Sequence, residues 1–305
     1  MASTAWLCAL VVGAAVVLVL WRYRHRATHG ALRQHPVLVR IADAFTSVVR
    51  RWRLRGGALA PRFPVVLLHG LGGFDQLPLG SMNASYFRGL ERLFEQHGVR
   101  AYRTTVPAFG TVEDRAQALA RELRELAART GMRRCNLVAH SMGGLDARYA
   151  IAHDDGVRAL VASLVTIGTP HRGTPIADLG SSVLGMTGLA TLLARLGVSM
   201  GFVRDLSSAA LATFNTRVPD AKGVFYGSVV SAAPAGRLSP PLAPLAPLLA
   251  KSGESDGVVP AASQAWGVVL AKVVADHWGE IGWSSCGDVV ELFGTVLREL
   301  RARGL

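Results

Sequence analysis

The sequence feature that most constrains the fold is the stretch LVAHSMGG at residues 137–144. The apolar run that leads into it, Cys135 to Ala139, predicts a short buried strand, and the residues that follow it have helical character. Small residues, Ala139 and Gly143, stand two positions before and after Ser141, where a tight strand-to-helix turn has no room for larger side chains. Such a turn exposes the serine hydroxyl at the start of a helix, so Ser141 is a candidate nucleophile.

The segments on either side of this stretch alternate between strand and helix patterns. Short apolar runs bounded by turn residues predict strands, and longer stretches with apolar residues at helical spacing predict helices. Repeated strand-then-helix units predict an α/β fold with a mostly parallel central sheet flanked by helices. The predicted strands cover residues 63–68, 100–106, 135–139, 161–167 and 224–230, with another before Asp256, and the predicted helices cover residues 86–97, 112–130 and 289–301.

One segment, Leu179 to Phe202, interrupts this alternation. It is rich in Gly and Leu, nearly uncharged and only loosely amphipathic. Its place after a strand makes a helical lid over an apolar site one interpretation, and an ordinary core helix is the other. We therefore expect a lid at about residues 179–203, inside a catalytic domain that covers residues 61–305.

The N-terminal segment predicts a membrane anchor. Ala5 to Trp21 is an unbroken apolar run of 17 residues, about 25 Å of helix, which crosses most of a bilayer. The alternative is a cleaved signal peptide and a secreted body, but no basic residue precedes the run and no convincing small-x-small cleavage site follows it. We predict that residues 1–26 are a single transmembrane helix of the inner membrane, or else a signal segment. The arginines after the run favour a cytoplasmic body, although the side of the membrane stays open.

A basic amphipathic helix is predicted for Pro36 to Leu54, within a linker that covers residues 27–60. Its apolar stripe and arginines suit an anionic membrane surface, and packing against the main domain is an equal alternative. Nine arginines and one acidic residue lie in the first 60 residues, so this segment holds eight of the twelve net positive charges. The rest of the chain is only weakly basic, which argues against a nucleic-acid partner.

A glycine-rich turn, LHGLGG at residues 68–73, follows the first strong strand of the body. Glycines at the carboxyl end of a strand let a backbone N–H approach a developing negative charge. Alone, a turn of this kind is more often just a tight loop. Paired with the turn at Ser141, it predicts that the N–H groups of Leu71 and Met142 form an oxyanion hole.

Candidate acid and base residues follow Ser141 in the order Ser, Asp, His that strand–turn–helix serine sites use. Asp256 lies in the loop SDGVVP, and His277 follows 21 residues later. We predict that His277 accepts the Ser141 proton, while Asp256 orients the imidazole and stabilises its charged form. Glu254 and Asp276 are alternative acids. The histidines beside other motif residues, which we expect to be structural hydrogen-bonders, are His69, His140 and His171.

Six segments carry a family resemblance: VLLHGLGGFD at 66–75, YFRGL at 86–90, AHSMGGLDARY at 139–149, TIGTPHRGT at 166–174, SDGVV at 255–259 and Asp276-His277. In this order they resemble the bacterial true lipases, the triacylglycerol lipases of the α/β-hydrolase superfamily. The resemblance covers the chain from about Pro64 to the C-terminus, and it implies an α/β-hydrolase fold with a lid at residues 179–202. The triad and oxyanion-hole residues that it implies are Ser141, Asp256, His277, Leu71 and Met142.

Two departures from that family concern a metal and the cellular location. The lipases hold a structural calcium partly through an aspartate two residues after the catalytic histidine, and this position is Gly279 here. A second acidic ligand is expected before the Asp256 loop, where Arg237 to Pro247 contains no acid. Without hard oxygen ligands little remains to hold calcium, so we predict no metal and no cofactor. The family members are secreted and soluble, whereas this chain is predicted to be anchored.

The function that these residues predict is hydrolysis of carboxylic esters by a serine hydrolase of the lipase or esterase type, through an acyl-enzyme. The expected substrates are triacylglycerols or other acyl lipids, bound in an apolar groove under the lid. A thioesterase, an amidase or an acyltransferase with the same triad is an alternative, because one fold hosts many acyl transfers. A membrane-tethered scaffold without turnover is a further alternative, against which the complete triad argues. The oligomeric state is left open.

Overall fold

The computed structural model describes residues 59–73, 76–79, 82–187 and 201–305. The predicted anchor, nearly all of the predicted linker helix and the middle of the predicted lid therefore lie outside the described residues. No helix within the described ranges is long and apolar enough to cross a membrane.

Six parallel strands form the central sheet, as the strand–helix alternation predicts. Their order across the sheet is β4-β1-β5-β6-β7-β8, and a separate antiparallel hairpin joins β2 to β3. The strands are Val65–Leu68 (β1), Gln76–Leu79 (β2), Met82–Ser85 (β3), Ala101–Arg103 (β4), Cys135–His140 (β5), Val161–Ile167 (β6), Phe225–Ala232 (β7) and Val268–Val274 (β8).

Helices connect the strands and cover the sheet. The long helix α2 begins at Thr111, whose side chain accepts a hydrogen bond from the Asp114 N–H at 3.1 Å, and it ends where Gly131 turns left-handed with φ of 68°. The helices are Glu91–His97 (α1), Val112–Thr130 (α2), Gly143–His153 (α3), Asp155–Leu160 (α4), Pro175–Thr187 (α5), Gly201–Asp205 (α6), Ser208–Arg217 (α7), Ala246–Leu249 (α8), Ala261–Gln264 (α9) and Val289–Ala302 (α10), with 3₁₀ turns at Ala235–Arg237, Ala243–Leu245, Ala250–Ser252 and Gly279–Ile281.

The core lies around the central strands. Every residue of β1, β5 and β6 is buried, which explains why these strands read as continuous apolar runs rather than alternating ones. Leu119 and Leu123 of α2 and Ile151 of α3 pack with β5 in one cluster of buried side chains. This packing makes β5 a rigid support for the turn at its carboxyl end.

Two element predictions are wrong. The helix predicted at residues 86–97 begins only at Glu91, because Gly89 has φ of 79°, which a right-handed helix does not allow. The strand predicted before Asp256 is absent, since residues 243–252 form short helical turns, and the last strand, β8, comes after Asp256. Prolines at the starts of these turns suit helical rather than strand geometry.

The order of the strands determines where a site can form. After β1, the polypeptide forms β4 on one side of β1 and then returns to form β5 on the other side of β1. The connections that follow β1 and β5 therefore diverge, which opens a crevice at the carboxyl ends of these two strands. The glycine-rich turn follows β1 and Ser141 follows β5, so both meet at this crevice.

Candidate active site

Ser141 occupies a strained turn between β5 and α3. Its φ is 55°, and it is the one non-glycine residue with a positive φ among those that the structure describes. The Ile167 carbonyl accepts a hydrogen bond from the Ser141 N–H at 2.9 Å, and the Thr169 hydroxyl donates to the Ser141 carbonyl at 2.7 Å. A Cβ at Gly143 would lie only 2.7 Å from the His69 carbonyl oxygen. The turn thus excludes a larger residue at the position that the sequence pattern singles out.

The structure brings Ser141, Asp256 and His277 together in one line of hydrogen bonds. His277 Nε2 lies 3.1 Å from Ser141 Oγ, and His277 Nδ1 lies 2.8 Å from Asp256 Oδ2. The Asp256 side chain is fully buried and that of His277 nearly so, while Ser141 is half-buried. These contacts have the geometry in which an imidazole accepts the serine proton while a carboxylate orients the ring.

The Asp256 carboxylate is held by donors on its other side. Its Oδ1 accepts hydrogen bonds from the N–H groups of Val258 at 2.8 Å and Val259 at 2.7 Å. The Gln264 side-chain amide donates to Oδ2 at 3.2 Å. The tight turn that follows Asp256 supplies these N–H groups, so the loop sequence itself positions the carboxylate against His277.

A second buried carboxyl, Glu280, lies beside the triad and was missed by the sequence analysis. Its Oε2 lies 3.6 Å from His277 Nδ1, and its Oε1 contacts the Ser231 hydroxyl. Burial, and next the nearby Asp256 carboxylate, raise the pKa of Glu280 well above its ordinary value. The spacing His-x-x-Glu could have indicated it, since residues three apart share one side of a helical turn.

The two alternative acids from the sequence lie elsewhere. Glu254 is exposed to solvent. Asp276 is buried, but its carboxylate accepts hydrogen bonds from the Gly279 N–H at 2.6 Å and the Ser239 N–H at 2.8 Å, which stabilise the surrounding loops. Within the described part of the chain, neither carboxylate makes a hydrogen bond to the His277 ring.

The three remaining candidate histidines make hydrogen bonds to groups other than the triad side chains. His69 Nε2 accepts from the Val106 N–H at 3.3 Å, and His171 Nε2 lies 3.0 Å from the Thr166 hydroxyl. His140 Nδ1 lies 2.8 Å from the Tyr86 hydroxyl. Burial lowers the pKa of both His140 and His171 well below the ordinary value, so these rings are neutral at neutral pH.

The predicted oxyanion donors are Leu71, in the glycine-rich turn, and Met142, which directly follows Ser141. A Cβ at Gly70 would lie 2.7 Å from Ser141 Cβ, which shows how closely the glycine-rich turn approaches the nucleophile. Among the described residues, neither the Leu71 N–H nor the Met142 N–H has a hydrogen-bond acceptor. Both donors are therefore available to a bound group, as an oxyanion hole requires.

A buried arginine, Arg115, fixes the glycine-rich turn. Its guanidinium donates to the carbonyls of His69 at 3.0 Å and Gly70 at 3.3 Å, and to those of Pro107 and Ala108. Its charge is balanced by Asp146 of α3, at 2.8 Å and equally buried. Because the peptide bond is planar and trans, holding the Gly70 carbonyl also fixes the direction of the Leu71 N–H.

One group with metal-site spacing occurs among the side chains that the structure describes. The ligand atoms of His140, His277 and Glu280 lie within 4.8 Å of one another. These atoms already bond to protein partners: His277 Nδ1 to Asp256, and His140 Nε2 to Glu280 at 2.8 Å. An ion here would compete with the Asp256 contact of the histidine. The expected absence of a metal stays a prediction.

Apolar side chains are exposed beside the glycine-rich turn and at the start of the predicted lid segment. Phe109 is 61% exposed, and its ring centroid lies 5.9 Å from that of Phe202 at the end of the predicted lid segment. Leu179, at the start of that segment, is 49% exposed. A Cβ at Gly72 would lie 3.9 Å from the Phe109 ring, so this apolar surface adjoins the glycine-rich turn.

A separate cavity of about 850 Å³ opens beside β7 and β8. It is lined mostly by alanine, valine and leucine, with Lys272 and Glu254 among its lining residues. No residue of the Ser141–His277–Asp256 line contributes to it. This cavity is therefore separate from the candidate active site.

Comparison with known proteins identifies a matching family. Residues 65–290 match the model of the alpha/beta hydrolase family. A triacylglycerol lipase of Pseudarthrobacter phenanthrenivorans is 32% identical over 183 residues, which cover 53% of this chain and 56% of that protein. A triacylglycerol lipase of Vibrio cholerae is 35% identical over 148 residues, 48% of this chain and 45% of that protein. The chain thus spans about half the length of the curated relatives that it matches.

Solved structures share the fold. A metagenomic carboxyl esterase superimposes with a TM-score of 0.66 at 20% identity, covering 81% of this chain and 78% of the esterase. The mature lipase of Bacillus licheniformis superimposes with a TM-score of 0.57 at 24% identity, covering 74% of this chain and 88% of the lipase. At these identities the likeness establishes the architecture alone.

Proposed function

Because this chain belongs to the alpha/beta hydrolase family, we propose that it is a serine hydrolase that cleaves carboxylic esters through an acyl-enzyme intermediate. The observation that carries the proposal is the line of contacts from Ser141 Oγ to His277 Nε2, 3.1 Å, and from His277 Nδ1 to Asp256 Oδ2, 2.8 Å. The matched relatives that are named triacylglycerol lipases support ester substrates.

In the proposed reaction, His277 Nε2 accepts the Ser141 hydroxyl proton while Oγ attacks the ester carbonyl carbon. The carbonyl oxygen becomes an oxyanion, which the N–H groups of Leu71 and Met142 stabilise. The C–O bond to the alcohol then breaks, and His277 gives its proton to the departing alkoxide. A water molecule attacks the acyl-enzyme by the same route, which releases the carboxylic acid and restores Ser141. Asp256 stabilises the charged imidazole throughout.

We propose acyl lipids, including triacylglycerols, as the substrates and residues 179–203 as a lid. The exposed Phe109 and its contact with Phe202 support this proposal, since they give the crevice an apolar rim of the kind that acyl chains bind. Met142 and Leu145 join Leu211 in a buried apolar cluster, against which Leu71 and Phe202 pack. An acyl chain at Ser141 would therefore meet apolar side chains on the oxyanion side.

Rates on p-nitrophenyl esters of increasing chain length test this substrate class. We expect kcat/KM to rise from acetate to the eight-carbon ester by at least about tenfold, because each buried methylene contributes about 0.8 kcal/mol and burial of about two of the added methylenes already gives this factor. The Phe202→Ala variant should lose part of this rise and keep the acetate rate. Activity that collapses beyond short chains would refute the lipase assignment and leave a short-chain esterase. Thioester and amide analogues in the same assay distinguish the thioesterase and amidase alternatives.

We also propose that residues 1–26 anchor the protein in the inner membrane. The support is the unbroken apolar run from Ala5 to Trp21 followed by arginines. The full chain should remain in membranes that are washed with alkaline carbonate, and a variant lacking residues 2–26 should be released. Release of the full chain by the wash would refute anchoring. Protease digestion of intact cells and of spheroplasts then determines which side the catalytic domain faces.

A further inference from the structure

A chain of buried polar groups lies behind the triad. The Gly70 N–H donates to the Tyr86 hydroxyl oxygen at 3.1 Å, and this oxygen lies 2.8 Å from His140 Nδ1. His140 Nε2 lies 2.8 Å from Glu280 Oε2 and 3.2 Å from the His277 carbonyl oxygen. Tyr86, His140 and Glu280 are all buried. These hydrogen bonds thus connect the glycine-rich turn to the backbone of the proposed base without a break.

The Gly70 N–H determines which groups donate and which accept in this series of hydrogen bonds. An N–H can only donate, so the Tyr86 oxygen accepts from Gly70 and can direct its own proton toward His140 Nδ1. His140 Nδ1 is then an acceptor, and a neutral His140 carries its proton on Nε2, facing Glu280 and the His277 carbonyl. Burial, and next the neighbouring His277, lower the pKa of His140 well below its ordinary value, which agrees with a neutral ring.

The hydrogen bond from Gly70 to Tyr86 matters because, together with those of Arg115, it holds the glycine-rich turn in one conformation. The peptide between His69 and Gly70 is held at both ends, its carbonyl by Arg115 at 3.0 Å and its N–H by Tyr86. The next peptide is held through the Gly70 carbonyl, which accepts from Arg115 and from the Gly73 N–H at 3.2 Å. With both peptide planes fixed, the Leu71 N–H has one direction.

We propose that Tyr86 is a positioning residue of the oxyanion hole, which acts through His140 and Glu280 to keep the Leu71 N–H in register with His277. The inference rests on the proposed ester hydrolysis at Ser141. His140 immediately precedes Ser141, and its ring lies against that of His277 at a tilt of 43°, with centroids 4.5 Å apart. The same hydrogen-bonded groups therefore contact the neighbours of the nucleophile, the base and the oxyanion donor. The family resemblance, which includes the YFRGL segment, implies no such function for Tyr86.

The Tyr86→Phe variant removes the hydroxyl and leaves the ring. Its matched control is Tyr102→Phe, because Tyr102 is a half-buried tyrosine of β4 whose hydroxyl bonds to no described residue. We expect Tyr86→Phe to lower kcat on p-nitrophenyl butyrate by about 10- to 100-fold, with KM changed less than twofold. An oxyanion hole acts only in the transition state, and loss of one whole donor costs about 10²–10³. Tyr102→Phe should stay within twofold.

A boronic acid separates positioning from a purely structural function. Butylboronic acid bonds to the serine oxygen and places a hydroxyl where the oxyanion would lie, so its Ki should rise with the loss of kcat/KM in Tyr86→Phe. Rates are expressed per serine labelled by a fluorophosphonate at completion, so that misfolded protein is not counted. Glu280→Leu, which cuts the other end of the chain, should raise Ki in the same way and provides the test should Tyr86→Phe fold poorly.

Two outcomes would overturn the proposal, and they differ from each other. In the first, the wild-type protein is active and Tyr86→Phe has the same kcat and the same Ki, whatever its melting temperature. Tyr86 would then be a structural residue only, and the proposed ester hydrolysis would be unaffected. Wild-type protein that neither hydrolyses the ester nor binds the boronic acid would refute the proposed function, and this proposal with it.

Discussion

Alanine in place of either Ser141 or His277 is expected to lower kcat on an activated ester by about 10⁶-fold, and the double variant no further. The reason is that the nucleophile and the base act as one unit: without His277 the hydroxyl at 3.1 Å keeps its proton, and without Ser141 the imidazole has no nucleophile to activate. What activity remains would come from substrate binding and the oxyanion N–H groups alone.

The measurement is steady-state hydrolysis of p-nitrophenyl butyrate by the two single variants and the double variant. His153→Ala is the control, because His153 is an exposed histidine at the end of α3 that contacts neither residue, and it should retain the wild-type rate. Two results would contradict the argument that Ser141 and His277 act as one unit. One is a loss of kcat in the double variant that equals the product of the two single losses, and the other is a Ser141→Ala protein with more than about 1% of wild-type kcat.

Replacement of Arg115 by methionine is expected to lower the free energy of unfolding by about 3–5 kcal/mol, a fall in melting temperature of about 10 °C. The substitution leaves the buried Asp146 without its cation and strips hydrogen-bond donors from four carbonyls. Burial already raises the pKa of Asp146 to about 7 even though Arg115 opposes that rise, which indicates how costly this charge is in its surroundings. Denaturant unfolding at pH 8 measures the loss.

Two further variants test the physical reason. Arg124→Ala removes an ion pair of the same helix, α2, with Asp154, but this pair is largely exposed, so its loss should cost less than about 1 kcal/mol. Adding Asp146→Asn to Arg115→Met removes the unpaired charge and should restore roughly half of the lost stability. It should not restore activity, since the glycine-rich turn still lacks its donors. An Arg115→Met protein as stable as wild type would refute the argument.

The sequence predicts the turn at Ser141 because residues close to it in the sequence determine its conformation. The turn needs small residues at 139 and 143, because a Cβ at Gly143 would lie 2.7 Å from the His69 carbonyl oxygen. The parallel sheet was also predictable, since buried parallel strands read as continuous apolar runs between helical segments. The order of Asp256 and His277 then followed from the fold that these elements imply.

What the sequence could not supply depends on contacts between distant parts of the chain. Glu280 and Arg115 lie within none of the recognised motifs, and Tyr86 lies in the YFRGL motif at 86–90 without an assigned function. The functions of all three arise only when β1, β5 and the His277 loop meet at one end of the sheet. The late strand β8 was misplaced because its residues are half-exposed at the sheet edge, so the burial signal that marks central strands is weak there. The positive φ of Gly89 delays until Glu91 a helix that apolar spacing alone predicts from residue 86.

The most direct measurement of the central claim is covalent labelling by a fluorophosphonate probe, read by mass spectrometry of the intact protein and of its peptides. We expect one label per wild-type chain, located on Ser141, because phosphonylation of a serine needs both an activated Oγ and an oxyanion hole. The Ser141→Ala protein, shown to be folded by its unchanged melting temperature, should take up no label. Failure of the wild-type protein to label, or labelling that survives Ser141→Ala, would contradict the account.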